Sequence, residues 1–432
     1  MQINPFQIIH YAFDASLMSQ VVCPPYDKLS DELIKACKGL HPHNFVSAII
    51  GETLADHSYY PKAAETLRSW LKTGILEQES SPKLLVYRQA FECPISGKKL
   101  TRTGFFALLR LPERDRNDVL PHERTFAEHK ADRLQLYRAV RGTPEAIFVL
   151  YSDPDQSVLS LLEYPADSVS FQDPQGHTNS LALLDSPPII NSIKERVESQ
   201  KLLIADGHHR FETGMNFRDE CRQAFPDREG PQPWDDILVY FTAMEDPGLA
   251  ILPTHRIVKA VSDEAFSLFL ERCRSVFEVE ALPGIVNPDS IASLASSLSS
   301  SETHSESFGL VTRQKLYRLN LSDPQLLRKH LPEDIEEPLQ DLPVVWLHRV
   351  LLDRFLGFES EENAPDRIAY VRTAPEVVQG LTADGYDLGI LLRGTQSREV
   401  QKVAQAGLRM PQKSTDFFPK VLSGLAVYLH PM

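Results

Sequence analysis

The chain has 432 residues, 42% hydrophobic and 24% charged, which excludes a disordered or fibrous protein and points to two domains, or one core with large insertions. Lys and Arg number 45 against 59 Asp and Glu, and the formal charge of −14 argues against a general binder of nucleic acid or of anionic membrane while leaving room for a focused basic pocket. Five scattered cysteines without a Cys-x-x-Cys pair, an N-terminus without signal-peptide character and the lack of any apolar run of about 18 residues lead us to expect a cytoplasmic protein.

In chain order, Val21 and Val22 read as strand-like and run into Pro24-Pro25, a stiff backbone that presents Tyr26 and Asp27 in a fixed direction. Ser30 reads as the N-cap of a helix from Asp31 to about Lys38, closed by Gly39. An amphipathic helix is predicted over residues 62–76, ending near Gly74. Strands over 83–92 and 101–111 are predicted to form a hairpin around Pro94 to Lys98. Residues 120–134 mix charges of both signs. They read either as a solvated helix face or as a site in which His122, Glu123 and Lys130 supply a general acid or base and a phosphate partner. A buried strand is predicted over 143–151, and a helix over 192–199 leads into the central motif.

That motif is Leu202 to Gly214. Leu202 to Ala205 is an apolar run, Asp206-Gly207 is turn chemistry, and the proline-free residues 208–225 read as a helix ended by Pro226. His208, His209 and Arg210 therefore fall at a helix start, where free N–H groups and the macrodipole favour anions. A bound phosphate resolves the conflict, with Gly207 allowing close backbone approach. The alternative is that Asp206 and Glu212 neutralise a merely structural turn.

Downstream, residues 237–244 read as a strand, and Pro253-Thr254-His255-Arg256 places a second His-Arg pair at a strand end, able to extend an anion pocket. A helix over 263–276, a serine-rich stretch over 290–306, a hairpin over 308–321, a helix over 342–355, strands over 368–372 and 388–392, and a helix over 397–406 follow. In the polar tail, Lys413, Ser414 and Thr415 either contact phosphate or fasten the C-terminus as a surface loop.

Pro24-Pro25-Tyr26-Asp27, Asp132-Arg133, Asp206-Gly207-His208-His209-Arg210, Pro253-Thr254-His255-Arg256 and Met410-Pro411-x-Lys413-Ser414-Thr415 together resemble a bacterial and archaeal family known only as a conserved domain of unknown function. The Asp-Gly-His-His-Arg element is also similar to the phosphate-binding turn of the ParB-like and sulfiredoxin-like superfamily, which includes nucleotide-dependent free serine kinases. The resemblance implies that Gly207, His208, His209 and Arg210 hold nucleotide phosphates, and it links the family to serine metabolism. It offers no aligned equivalent of the kinase's catalytic glutamate.

The expectation is an α/β (α+β) protein of mixed sheets, with a ParB/sulfiredoxin-like phosphate-binding core in residues 1–260 and a C-terminal α+β domain in 261–432 whose segment 409–432 returns to the core. The expected activity is phosphoryl transfer between ATP or ADP and a small hydroxyl amino acid, serine or phosphoserine, with Mg2+. Asp27 or Glu123 would be the base, assisted by His208 and His209. Asp206, Gly207, His208, His209, Arg210, His255, Arg256, Lys413, Ser414 and Thr415 would bind phosphate or nucleotide. Tyr26, His122, Lys130 and Arg133 would bind substrate, with Asp206 a metal ligand. The expected partner is a small molecule and neither nucleic acid nor membrane; the oligomeric state stays open, a homodimer included. The competing readings are a metal-assisted phosphoserine phosphatase using Asp206, His208, His209 and His255, and a ParB-like nucleotide-binding switch without catalysis.

Overall fold

The two runs that flank Pro94 to Lys98 pair as their turn residues predict: β1 (Leu84–Glu92) and β2 (Lys99–Arg110) are antiparallel, with Val86 opposite Phe105. The computed structural model describes residues 1–123, 127–163, 165–298, 306–358, 367–411 and 413–431. Residues 124–126 of the charged stretch, 299–305 of the serine-rich stretch and Gln412 lie outside them. The chain divides into one unit made of Met1–Glu92, Lys99–Leu249 and Pro419–Met432, and a second made of Cys93–Lys98 and Ala250–Phe418.

The first unit is built on a mixed sheet, nine-stranded among the described residues. Its central strands are β3 (Ile147–Tyr151), β4 (Leu202–Asp206) and β5 (Asp236–Ala243), with β3 between the other two. β5 runs parallel to β3 and antiparallel to β2, and β4 runs antiparallel to β3. Alternation decides the faces. Phe105, Ala107, Ile147, Val149, Ile204, Val239 and Phe241 share one apolar core with Ile193 and Val197 of a helix, Pro187–Glu198, and with Phe211 and Met215. Phe211 and Met215 belong to α1 (His208–Ala224), which follows β4 directly. The other face carries Arg102, Phe148 and Tyr240, all buried.

The second unit has a six-stranded antiparallel-paired sheet among the described residues, including β6 (His255–Val258) and the hairpin Ser307–Val311 with Leu316–Leu321. The protein is thus α/β with mixed sheets. Among the described residues no helix is long and apolar enough to cross a membrane.

Several local expectations need correction. Val21 is not in a strand but ends a helix, Ala15–Val21, because Asp14 caps it by accepting from the Leu17 N–H and because Met18 and Val21 are buried. The Ser30-capped helix continues through Gly39 to Leu40. The helix predicted over 62–76 is Tyr60–Lys72, since Leu76 already pairs as a strand with Tyr11. The helix before β4 starts five residues early, on Pro187-Pro188, where missing N–H groups cost nothing. Leu347–Phe355 is helical, as predicted, but wound as a π-helix.

Candidate anion site at the head of helix α1

The β4–α1 junction follows from its residues. Asp206 ends the strand, Gly207 turns the chain at φ +91°, and the Phe211 N–H donates to the Gly207 carbonyl as the helix begins. This turn puts Arg210 one helical turn from Asp206, and the guanidinium Nη2 donates to Asp206 Oδ2 at 2.8 Å. Nη1 donates to the Ala146 carbonyl at 2.5 Å. The Arg210 side chain is buried, yet its Nε has no hydrogen-bond partner among the described residues. The guanidinium lies against Gly207, where a Cβ would stand 3.1 Å from both Nε and Nη2.

Positive charge converges on Asp206. Lys420 Nζ donates to its Oδ1 at 2.9 Å. Burial pushes the carboxyl up, and the Lys420, Arg210 and Lys28 charges overcome it and hold the group well below the usual carboxylate range. Both Asp206 oxygens are thus engaged by cations, the position of an internal counter-ion rather than of an open metal ligand. Among the described residues no three His, Cys, Asp or Glu side chains converge to hold a metal ion. Asp27 is exposed.

The two histidines differ. His208 is buried and its Nε2 accepts the His122 backbone N–H at 3.2 Å, while His122 Nδ1 donates to the Ile204 carbonyl at 2.8 Å. The rings meet edge to face with centroids 4.6 Å apart. His209 lies beside His129, with ring centroids 5.0 Å apart. Burial, then the His129 charge, push His209 down to about 4 against the pull of Asp27 and Glu212, so its imidazole is neutral at pH 7. Lys130 Nζ donates to Glu212 at 2.8 Å, tying the helix Ala127–Val140 to α1. Glu123 is half-buried in the bend after His122.

The Pro-Pro-Tyr-Asp segment enters the same site. Tyr26 to Lys28 form one 3-10 turn, and the Tyr26 N–H donates to Glu145 Oε1 at 3.1 Å. Arg133 stacks its guanidinium 4.1 Å from the Tyr26 ring centre, and Arg210 lies 6.0 Å from it. Arg133 is buried and spends its donors on Asp132, the Ile49 carbonyl, Tyr59 and Glu145. It therefore braces Tyr26. Asp27 acts electrostatically on both His209 and Arg210.

His255, Arg256, Lys413, Ser414 and Thr415 belong to the second unit. There His255 Nδ1 accepts the Leu392 N–H at 3.4 Å, and Arg256 hydrogen-bonds His348 Nε2 at 2.8 Å and the Thr254 carbonyl. Arg256 also stacks 5.0 Å from the Tyr370 ring and reaches the Lys413 carbonyl, while Ser414 Oγ donates to the Pro411 carbonyl. Half-buried Thr415 follows directly. Sequence reasoning missed Lys28, Glu145, His129 and Lys420 in the first unit. Lys28 adjoins a quoted motif and was within reach, whereas Lys420 meets Asp206 across 214 residues, for which no spacing rule exists.

A family model described as a protein of unknown function, DUF1015, matches residues 3–345. No curated protein matches the sequence. Among solved structures, a conserved hypothetical protein from Pyrococcus furiosus is similar over 74% of this chain and 94% of its own, at 10% identity and TM-score 0.34. A free serine kinase in complex with AMP is similar over 75% and 91%, at 10% identity and TM-score 0.34. A C-terminally truncated SbnI from Staphylococcus aureus is similar over 74% and 85%, at 9% identity and TM-score 0.35.

Proposed function

The chain belongs to the DUF1015 family of proteins of unknown function, and on that footing we propose that its first unit is a nucleotide-dependent phosphotransferase acting on a small hydroxyl amino acid, serine or phosphoserine. The observation that carries the reading is Arg210. A buried guanidinium with an unpartnered Nε, laid against Gly207 at the first turn of a 17-residue helix and accompanied by Lys28 and Lys420, is a setting for phosphate oxygens. The resemblance of the turn to ParB-like phosphate-binding turns supports the nucleotide, and the preference for serine rests on that resemblance alone.

In this reading the α1 N–H groups, Arg210 and the lysines neutralise the charge of the transferring phosphoryl group, and neutral His209 offers a hydrogen bond without adding charge. The substrate hydroxyl oxygen bonds to phosphorus as the bond to the nucleotide's bridging oxygen breaks, and the hydroxyl proton passes to Asp27, with Glu123 as the second candidate base. Mg2+ would ride on the nucleotide phosphates and share their charge. Asp206 keeps Arg210 and Lys420 in place.

The test is a transfer assay on the full chain with serine or phosphoserine, Mg2+ and each adenine nucleotide, with Arg210→Ala in parallel. Transfer that needs nucleotide and collapses in the variant supports the reading. Release of inorganic phosphate from phosphoserine without nucleotide replaces it with a phosphatase, and nucleotide binding without turnover replaces it with a switch.

A further inference from the structure

Arg102, on the sheet face opposite the core, is completely buried. Its Nη2 donates to Gln89 Oε1 at 2.6 Å, whereas Nε and Nη1 have no hydrogen-bond partner among the described residues. A guanidinium stays charged at any working pH, and a charge in the interior demands a counter-charge. Asp246 acts on it electrostatically, but the Asp246 carboxylate accepts from the Thr103 and Gly248 N–H groups, at 3.1 and 2.7 Å. The Nε and Nη1 donors are left for something else.

Its surroundings lead to the site at α1. The guanidinium carbon is 4.7 Å from the Phe148 ring centre and 5.7 Å from that of Tyr240. Phe148 is the register partner of Asp206 across β3 and β4. Partnered residues place their side chains on one face, so Phe148 leads from the fork toward Asp206. A chain of hydrogen bonds makes the same connection: Gln89, which accepts from Arg102, donates to the Lys420 carbonyl at 3.3 Å, and the Lys420 ammonium holds Asp206.

We infer that Arg102 anchors the carboxylate of the small substrate whose hydroxyl is presented to the phosphoryl group at the Gly207–Arg210 turn. This rests on the phosphotransferase reading for the hydroxyl and on Arg102 alone for the carboxylate. A carboxylate supplies the missing counter-charge and an acceptor for the unpartnered Nη1, and Phe148 and Tyr240 wall it on the apolar side. Since the fork is fully covered, the ligand enters as the Gln89–Lys420 tie opens, which links its arrival to the lysine on Asp206. The substrate class is a short hydroxy acid bearing a free carboxylate; an amino alcohol without one is excluded.

The experiment uses the full chain as wild type, Arg102→Lys and Arg102→Met. L-serine, glycolate and ethanolamine are titrated by thermal shift, and ADP is titrated separately by calorimetry. Serine and glycolate should raise the wild-type Tm and ethanolamine should not. Arg102→Met should abolish the shift, Arg102→Lys should weaken serine at least tenfold, and ADP affinity should stay within twofold. The ligand-free Arg102→Met protein should melt at or above the wild-type Tm, because an unpaired buried cation is gone, whereas a structural arginine would lower it. A serine shift that survives in Arg102→Met, or a wild type that ignores every carboxylate, overturns the inference. Arg102-dependent serine binding in a protein that ignores ADP upholds the carboxylate site and sinks the nucleotide reading.

Discussion

Three residues decide the chemistry of the turn. Gly207 holds a left-handed backbone, and its missing Cβ is what lets the Arg210 guanidinium lie against it. Gly207→Ala should cost about 1–2 kcal/mol for the backbone alone, measured by urea unfolding, and should weaken ADP by more than that loss accounts for, because the new methyl displaces Nε. Asp206→Asn separates two explanations of that carboxylate. As the counter-ion of Arg210 and Lys420 its loss should destabilise by about 3–5 kcal/mol and leave the Mg2+ dependence of ADP binding unchanged. A variant of undiminished stability that has lost its Mg2+ response would make Asp206 a metal ligand after all. In the second unit, burial and then the Arg256 charge push His255 down to about 3, below its ordinary 6.5. It folds neutral, so the unfolded chain binds the proton first, and its cost appears as pH falls below 6.5 and grows by at most about 1.4 kcal/mol per pH unit until pH 3. His255→Asn should therefore flatten the loss of stability between pH 6.5 and 4. Equal acid slopes in the two proteins would contradict this.

At the scale of elements, the strand-turn-helix of residues 202–224 was legible because each part carries its own signal. Those signals are an apolar run, an Asp-Gly pair, and a proline-free stretch stopped by Pro226. The hairpins of both units were legible for the same reason. The helix Ala15–Val21 was not, since two valines outweigh one capping aspartate by eye, and burial of Met18 and Val21 reverses the propensity. The meeting of His122 with His208 across 86 residues was not legible either, although each histidine was singled out alone. Packing of α1 on the sheet makes a prediction of its own. A Cβ on Gly214 would come within 2.5 Å of Ile237 Cδ1 on β5. Gly214→Ala gains about 1 kcal/mol of helix propensity but overpacks the core by about 1–3 kcal/mol. The measured change should thus be destabilising or near zero, and a clear gain would show that α1 sits farther from the sheet.

For the molecule as a whole, the chain's last residues are part of its first unit. Ser423 Oγ donates to Glu145, Val427 and Ile9 exchange backbone hydrogen bonds, Tyr428 pairs with Thr143, and Lys420 reaches Asp206. Removing residues 419–432 should therefore expose the first unit to proteolysis and abolish ADP binding, while the isolated Lys420→Ala change should weaken ADP with the unit still folded. This closure is why composition and local periodicity located the turn but not its full electrostatics: one of its three cations arrives from the far end of the sequence. The most direct test of the account is a calorimetric titration of ADP into the wild type and into Arg210→Ala, with unfolding curves confirming that both are folded. The account predicts that affinity falls at least tenfold, about 1.4 kcal/mol, in the folded variant. Equal affinity in the two proteins would place the phosphates elsewhere and leave the turn a structural one.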